Sequence, residues 1–305
     1  MIYVWLALGF ACLIYGGNWL VDGSVKLARR LGVSPLLIGL TLVGFGTSTP
    51  ELVTSLLAVF DKSEGIAVGN VVGSNIANIL LVLGVAAVIS PVKVDLKSFR
   101  RDGTFLALST AMLIIAIILG RIGRMMGFVL VGALVVYVVY SYVSDKKQQQ
   151  AESDSDDTGY PLWAFGQTII GIGLTLLGAK LLVENASQLA RTWEISEKVI
   201  GLTIVAVGTS LPELITSIMS AVHKHDEVAF GNVVGSNIYN ALFILGLTAV
   251  FMPIDIREKM GLDLWVMTGA TAALIGVALW KRQFSRGIGV LFLLAYGLYV
   301  WRLFV

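Results

Sequence analysis

Two glutamates, Glu51 and Glu213, each directly follow a proline within a membrane-length apolar stretch, and the two stretches are copies of one another. Residues 38–55 read IGLTLVGFGTSTPELVTS and residues 200–217 read IGLTIVAVGTSLPELITS, identical at thirteen of eighteen positions with a constant offset of 162. A second matching block starts eighteen residues after each glutamate: GNVVGSNIANILLVLG from Gly69 and GNVVGSNIYNALFILG from Gly231. Charge at membrane depth is costly, so an ionisable side chain there points to function.

The surrounding chain supports a membrane setting. Of 305 residues 56% are hydrophobic and 14% charged, with a mean hydropathy of +0.84; soluble domains carry about 25% charged residues. A spanning helix needs about 20 mostly apolar residues. On that measure ten spans are expected, near 3–25, 35–60, 66–90, 104–120, 127–143, 162–188, 198–221, 228–252, 262–280 and 287–304. The apolar runs are continuous rather than alternating, against a β-barrel, and they lack the polar faces of a soluble bundle. The N-terminus has neither a basic leader nor a small-residue cleavage site, so the first span is expected to remain. Cys12 has no cysteine partner in the chain. A net charge of +2 gives no reason to expect nucleic acid. Thirteen loop lysines and arginines fall on one side and eight on the other, with Lys180 inside a span. This bias predicts a multi-pass cell-membrane (inner or plasma membrane) protein with both termini extracytoplasmic.

The polar stretch SDKKQQQAESDSDDTGY, residues 144–160, reads as a flexible cytoplasmic linker. It separates a first five-helix repeat, 1–143, from a second, 161–305. Equivalent residues 162 apart are then separated by an odd number of crossings, so the halves have inverted orientations, as in many secondary transporters. The offset also matches Asp22 with Glu184, Leu20 with Leu182 and Arg29 with Arg191, which extends the repeat to the first and sixth spans. The expected fold is an all-α integral membrane protein of ten transmembrane helices, arranged as two inverted five-helix repeats with helices 2 and 7 broken.

The breaks carry the chemistry. Pro50 and Pro212 lack the N–H that the carbonyls of Gly46 and Gly208 would accept. Thr47, Ser48, Thr209 and Ser210 add hydroxyls beside Glu51 and Glu213. The second blocks contribute Ser74 with Asn78 and Ser236 with Asn240, each pair spaced i, i+4 on one helical face. All the grouped ligands are oxygen, which favours a hard cation such as Ca²⁺ or Na⁺ over zinc or copper. If the glutamates converge, Ca²⁺ between them is charge-neutral. Its departure would leave two repelling charges in a low dielectric, so Na⁺ or H⁺ must replace it.

GTSTPEL, GTSLPEL and the paired GNVVGSNIxN blocks closely resemble the cation/calcium exchanger superfamily, and prokaryotic sodium/calcium exchangers in particular. The resemblance covers essentially the whole chain and identifies 38–84 and 200–246 as the family's two α-repeat motifs. It implies a transporter rather than an enzyme, with no cofactor. Ca²⁺ and Na⁺ would be the transported ions and the lipid bilayer the surroundings. It further implies Glu51 and Glu213 as calcium-binding carboxylates assisted by Thr47 and Thr209. Ser48, Ser74, Ser210 and Ser236 would build flanking sodium sites with backbone carbonyls near Gly44 and Ala206, and Asn78 and Asn240 would lie at the centre. The first and sixth spans resemble the helix pair that slides during alternating access. Many relatives carry an aspartate at one central position; here both are amides, which leaves the coupling ratio open.

The rival reading is a Ca²⁺/H⁺ antiporter with the two glutamates as proton carriers; the doubled Ser, Thr and Asn oxygens favour sodium. A cation channel is the reading from another class, disfavoured because channel filters commonly use rings of repeated subunits. His223 and His225 read as a solvated turn rather than a metal site. Lys180 and Glu184 are spaced to pair along one helix.

Overall fold

A computed structural model describes residues 1–149, 161–194, 206–256 and 260–304. The chain is all-α apart from four two-residue strands. Its helices are α1 (Ile2–Leu31), α2 (Pro35–Thr47), α3 (Thr49–Phe60), α4 (Glu64–Ile89), α5 (Leu96–Ile118) and α6 (Arg124–Gln149). Then come α7 (Pro161–Thr192), α8 (Ala206–Thr209), α9 (Leu211–Val222), α10 (Asp226–Phe251), α11 (Gly261–Lys281) and α12 (Arg286–Phe304).

Eight of the described helices are long and apolar enough to cross a membrane, or nine when the bent pair α2–α3 counts as one span. The chain is therefore a multi-pass membrane protein. The span expected at 198–221 is represented by α8 and the twelve-residue α9; residues 195–205 lie outside the described residues. Long apolar helices suit this environment because every backbone polar group finds its partner within the segment.

The 162-residue offset recurs in three dimensions. The strands β1 (Val92–Lys93), β2 (Arg121–Ile122), β3 (Ile254–Asp255) and β4 (Gln283–Phe284) pair crosswise, β1 with β4 and β2 with β3, both antiparallel. Moving Val92 forward by 162 and Phe284 back by 162 turns the pair Val92–Phe284 into the pair Ile254–Ile122. The contact is thus reciprocal, the mark of two equivalent units meeting about a two-fold axis. The helix contacts follow the same rule: Gly84 of α4 abuts Gly289 of α12, and Gly246 of α10 abuts Gly127 of α6.

Burial sorts the helices into layers. In the spanning windows of α4 and α10, 72% and 83% of residues are buried, against 11% in α12. The centre of the molecule is therefore the pair of helices carrying the second sequence blocks, with α12 facing lipid. α1 and α7 cross each other along their length, and the crossing runs over glycines. Gly9 meets Gly178, and Gly16 meets Gly171 and Thr175. Small residues let membrane helices approach closely enough for dispersion contacts to hold them.

One expected boundary shifts. α6 continues to Gln149, six residues into the stretch read as linker, and Asp145 within it is buried. Its carboxylate accepts from the Ser34 N–H at 2.5 Å and the Ser34 hydroxyl at 2.9 Å. Ser34 in turn caps α2, accepting from the Leu37 N–H at 3.1 Å, with Pro35 in the first turn. Burial of one charge at the helix entry explains the difference, which polar composition alone conceals. Residues 150–160 of the stretch lie outside the described residues.

The crossing of α1 and α7 generates a test. A Cβ on Gly171 would strike the Leu20 backbone, which no rotamer change relieves, whereas Gly173 faces open space. Gly171→Ala is expected to lower unfolding stability in detergent by about 1–3 kcal/mol. Gly173→Ala should be neutral or stabilising by up to about 1 kcal/mol. Equal effects in the two thermal melts would contradict this packing.

Candidate functional site

The α2–α3 break is local in origin. α2 stops at Thr47, Ser48 takes φ −82° and ψ 9°, and α3 resumes at Thr49 with Pro50 in its first turn. The two segments meet at 43°. The second half repeats this at Ser210, with φ −88° and ψ 5°, ahead of Pro212 and α9. Each break places a glutamate in the first turn of the helix that follows. The unsatisfied N–H groups at a helix start favour a carboxylate there.

Glu51 and Glu213 are 1% and 0% exposed and lie near enough to interact electrostatically. The Ser48 hydroxyl donates to Glu213 Oε1 at 2.9 Å, so a group from one half serves the carboxylate of the other. The Thr47 hydroxyl lies 3.0 Å from the Val43 carbonyl and 3.3 Å from Asn232 Oδ1. Around these bonds sit buried polar atoms with no hydrogen-bond partner among the protein atoms. They include the Oε2 atoms of Glu51 and Glu213, Oδ1 of Asn78 and Asn240, and the Ser210 and Ser236 hydroxyls. A buried polar atom left unmet costs about 1–3 kcal/mol. A cluster of such oxygens around two carboxylates is chemically suited to a hard cation.

A second layer fixes the glutamate backbones. Asn70 donates its amide to the Glu51 carbonyl at 3.0 Å and to the Ser55 hydroxyl at 3.0 Å. Asn232 donates to the Glu213 carbonyl at 3.2 Å and to the Ser217 hydroxyl at 3.0 Å. The two arrangements again differ by 162 in every residue. Asn70 and Asn232 were visible within the GNVVGSN blocks, as the asparagines following the first glycine, yet nothing in spacing alone set them apart.

The central asparagines occupy an unexpected backbone. Asn78 opens a π-helical turn over Asn78–Val82, and Asn240 opens one over Asn240–Ile244. A third π-helical turn, Gly39–Val43, lies in α2 ahead of the break. Such turns concentrate at functional sites because the widened ring re-aims side chains and loosens backbone pairing.

Most expected site residues lie inside the protein. Glu51, Glu213, Thr47, Ser48, Ser210, Ser74, Ser236, Asn78 and Asn240 are all buried. Thr209 is half-buried and lines a cleft of about 160 Å³ with Pro50, Gly208, Lys180 and Val183. The Gly44 carbonyl already accepts from the Ser48 N–H at 3.1 Å. Ala206 opens α8 at the edge of the described residues. Of the minor features, Lys180 and Glu184 pair at 3.8 Å. His223 and His225 face each other at 6.5 Å between ring centres in the turn before α10. No cluster of three or more His, Cys, Asp or Glu side chains forms among the described residues.

This geometry has well-matched relatives. The family described as sodium/calcium exchanger protein matches residues 1–143 and 163–305. A putative antiporter, CaxA of Alkalimonas amylolytica, is 34% identical over 99% of this chain and 98% of its own. The sodium/calcium exchanger MaX1 of Methanosarcina acetivorans is 32% identical over 83% and 84% of the two chains. The solved sodium-calcium exchanger NCX_Mj, soaked with Na⁺ and Ca²⁺, superimposes with a TM-score of 0.86 at 32% identity, over 98% of this chain and 97% of that one.

The asparagine layer yields a prediction. Asn232→Ala removes the donor to the Glu213 carbonyl and Ser217 while leaving their oxygens buried. It should cost about 1–3 kcal/mol of stability, read as a lowered melting temperature in detergent. An unchanged melt would mean that the layer does not hold the break.

Proposed function

The chain belongs to the sodium/calcium exchanger protein family, and from that premise we propose that it is a secondary antiporter moving Ca²⁺ against Na⁺ at one buried site between its halves. The observation that carries this reading is the meeting of Glu51 and Glu213, with unpartnered oxygens around them. Glu51 and Glu213 bind Ca²⁺, with Thr47 and Thr209 beside them. Ser48, Ser74, Ser210 and Ser236 shape the Na⁺ positions, with backbone oxygen near Gly44 and Ala206 joining as the breaks move. Asn78 and Asn240 fill the centre as neutral amides.

The electrostatics supply the coupling. One Ca²⁺ balances two carboxylates, and so do two monovalent cations. The empty site would hold two like charges in a low dielectric, a costly state for any orientation change. The carrier therefore turns over loaded and exchanges one cargo for the other. The reciprocal strand and glycine contacts support two equivalent halves; the odd number of crossings between equivalent residues favours ten spans with the halves inverted, and the lysine and arginine bias favours both termini on the extracytoplasmic side. Alternating access then consists of α1 and α7 sliding as a pair over the central helices, because they contact each other far more closely than they contact the core. Sodium rather than protons is the favoured partner because hydroxyl and amide oxygens, which proton carriage does not need, make up most of the cluster.

Glu51→Gln and Glu213→Gln are each expected to abolish Ca²⁺ flux in proteoliposomes while the protein remains folded and monodisperse. Near-normal flux in either would refute the site. Ca²⁺ uptake driven by a Na⁺ gradient should persist with a protonophore present; its loss would transfer the assignment to Ca²⁺/H⁺ exchange. Asn240→Asp adds a third titratable group, so Na⁺-driven flux should become more steeply pH-dependent between about pH 6 and 8. A profile superimposable on that of the parent would show that this position lies outside the charge balance.

A further inference from the structure

The two halves repeat the ion cluster but differ where their outer helices meet lipid. Burial and side-chain contacts align α5 with α11 at an offset of 161. Leu106, Ser109, Thr110 and Leu113 are buried in one, and Met267, Ala270, Thr271 and Leu274 in the other. The same offset pairs Asp102 with Asp263, and each accepts from a tyrosine of the next helix. The tyrosine is Tyr137 at 3.4 Å in the first half and Tyr299 at 2.7 Å in the second. The register is therefore fixed by an interaction present in both halves.

In that register the bulky side chains of the first half are missing from the second. Phe105, Leu108 and Met112 of α5 correspond to Val266, Gly269 and Ala273 of α11. Phe105 packs at a tilt against Tyr137 and Tyr140 with ring centres 4.8 and 6.1 Å away. At the equivalent place α11 and α12 flank an open cavity of about 470 Å³, walled by Val266, Gly269 and Ala273 on one side and Ala295, Leu298 and Arg302 on the other. Its volume falls within the ~300–1,000 Å³ range of ligand sites. Its lining is apolar except at one end.

We propose that this cavity is a phospholipid site, one acyl chain filling the cavity and the phosphate meeting Arg302. Three features select that occupant. Along α12 the lining runs from Phe292 to Arg302, roughly 15 Å of helix, which is half of a ~30 Å hydrocarbon core. An acyl chain of one leaflet has that reach. Arg302 stands in the last turn of α12, exposed, with no ion-pair partner among the described residues. In the first half its place is taken by Tyr140, and the arginine at that end, Arg101, is tied to Asp102 at 2.7 Å, so of these two arginines only the one beside the cavity stands without an ion-pair partner. Trp265 and Trp301, 79% and 58% exposed, flank the same end and place it at headgroup level, where such rings collect. Asp263, an acid on α11, accepts from Tyr299 and makes no ion pair with Arg302.

The test uses the full chain in liposomes of phosphatidylcholine and phosphatidylglycerol doped with phosphatidylglycerol bearing a photoactivatable acyl chain. Labelling is mapped by peptide mass spectrometry. Label should concentrate on α11 and α12 around Gly269, Ala273 and Ala295. Gly269→Leu combined with Ala273→Met rebuilds the first-half residue types. Excluding even two or three methylenes should cut labelling there roughly tenfold or more, with the rest of the lipid belt unchanged. Arg302→Gln should lower labelling by the anionic lipid relative to a neutral analogue. This arm and the parent map decide the matter if the double variant fails to fold. Label spread evenly around the belt, or unaltered by filling or by Arg302→Gln, would overturn the proposal. So would a crosslink joining two copies through this face, which would make the occupant a second chain.

Discussion

Two carboxylates held in hydrocarbon, each at the start of a half-helix, set the terms for the rest of the molecule. Neither Glu51 nor Glu213 could be buried alone at reasonable cost. Each gains the N-terminal dipole of its own helix, and Glu213 accepts from a hydroxyl of the opposite half, that of Ser48. That last bond means the cluster is complete only when the halves are docked. Folding of the halves and formation of the cluster are consequently one event at this point.

Docking in turn depends on backbone proximity. The central helices bring Gly231 and Gly235 of α10 against Leu36 and Leu40 of α2, where any Cβ would meet backbone. Without this approach the hydroxyls of Thr47 and Ser48 could not reach across to Asn232 and Glu213. Glycine here serves chemistry through distance, bringing the oxygen-bearing faces together. The outer crossing of α1 and α7 uses glycine for a different end. It binds two long helices to each other and leaves them with few ties to the core, which suits a pair that moves as a unit.

Much of this was legible in the residues because the chain states it twice. The repeated TSxPEL and GNVVGSNIxN blocks located the breaks, the carboxylates and the central asparagines, and the 162-residue offset reappears in strand pairing, caps and contacts. Three things were not legible. The π-helical turns opening at Asn78 and Asn240 use ordinary helix-forming residues, and only tertiary packing makes the extra residue in the turn worthwhile. The role of Asn70 and Asn232 rests on contacts nineteen residues back along the chain, which no local pattern announces. Asp145 lay inside a stretch whose composition argues for solvent, yet a single pair of bonds to Ser34 buries it.

The repeat also separates what the site constrains from what it leaves free. Behind the glutamates the Asn70 and Asn232 bonds repeat at an offset of 162, whereas the bond from Ser48 to Glu213 has no counterpart at Ser210, whose hydroxyl has no partner. At the α11–α12 face the Asp–Tyr bond survives while Phe105, Leu108 and Met112 have given way to Val266, Gly269 and Ala273. Those positions lie half-buried or exposed on the outer helices, away from the buried glutamates, so symmetry is not enforced on them. A molecule built from two related halves still has two ends that face different surroundings. An asymmetric outer face is the one place where it can respond to that difference without disturbing the balance of charge inside.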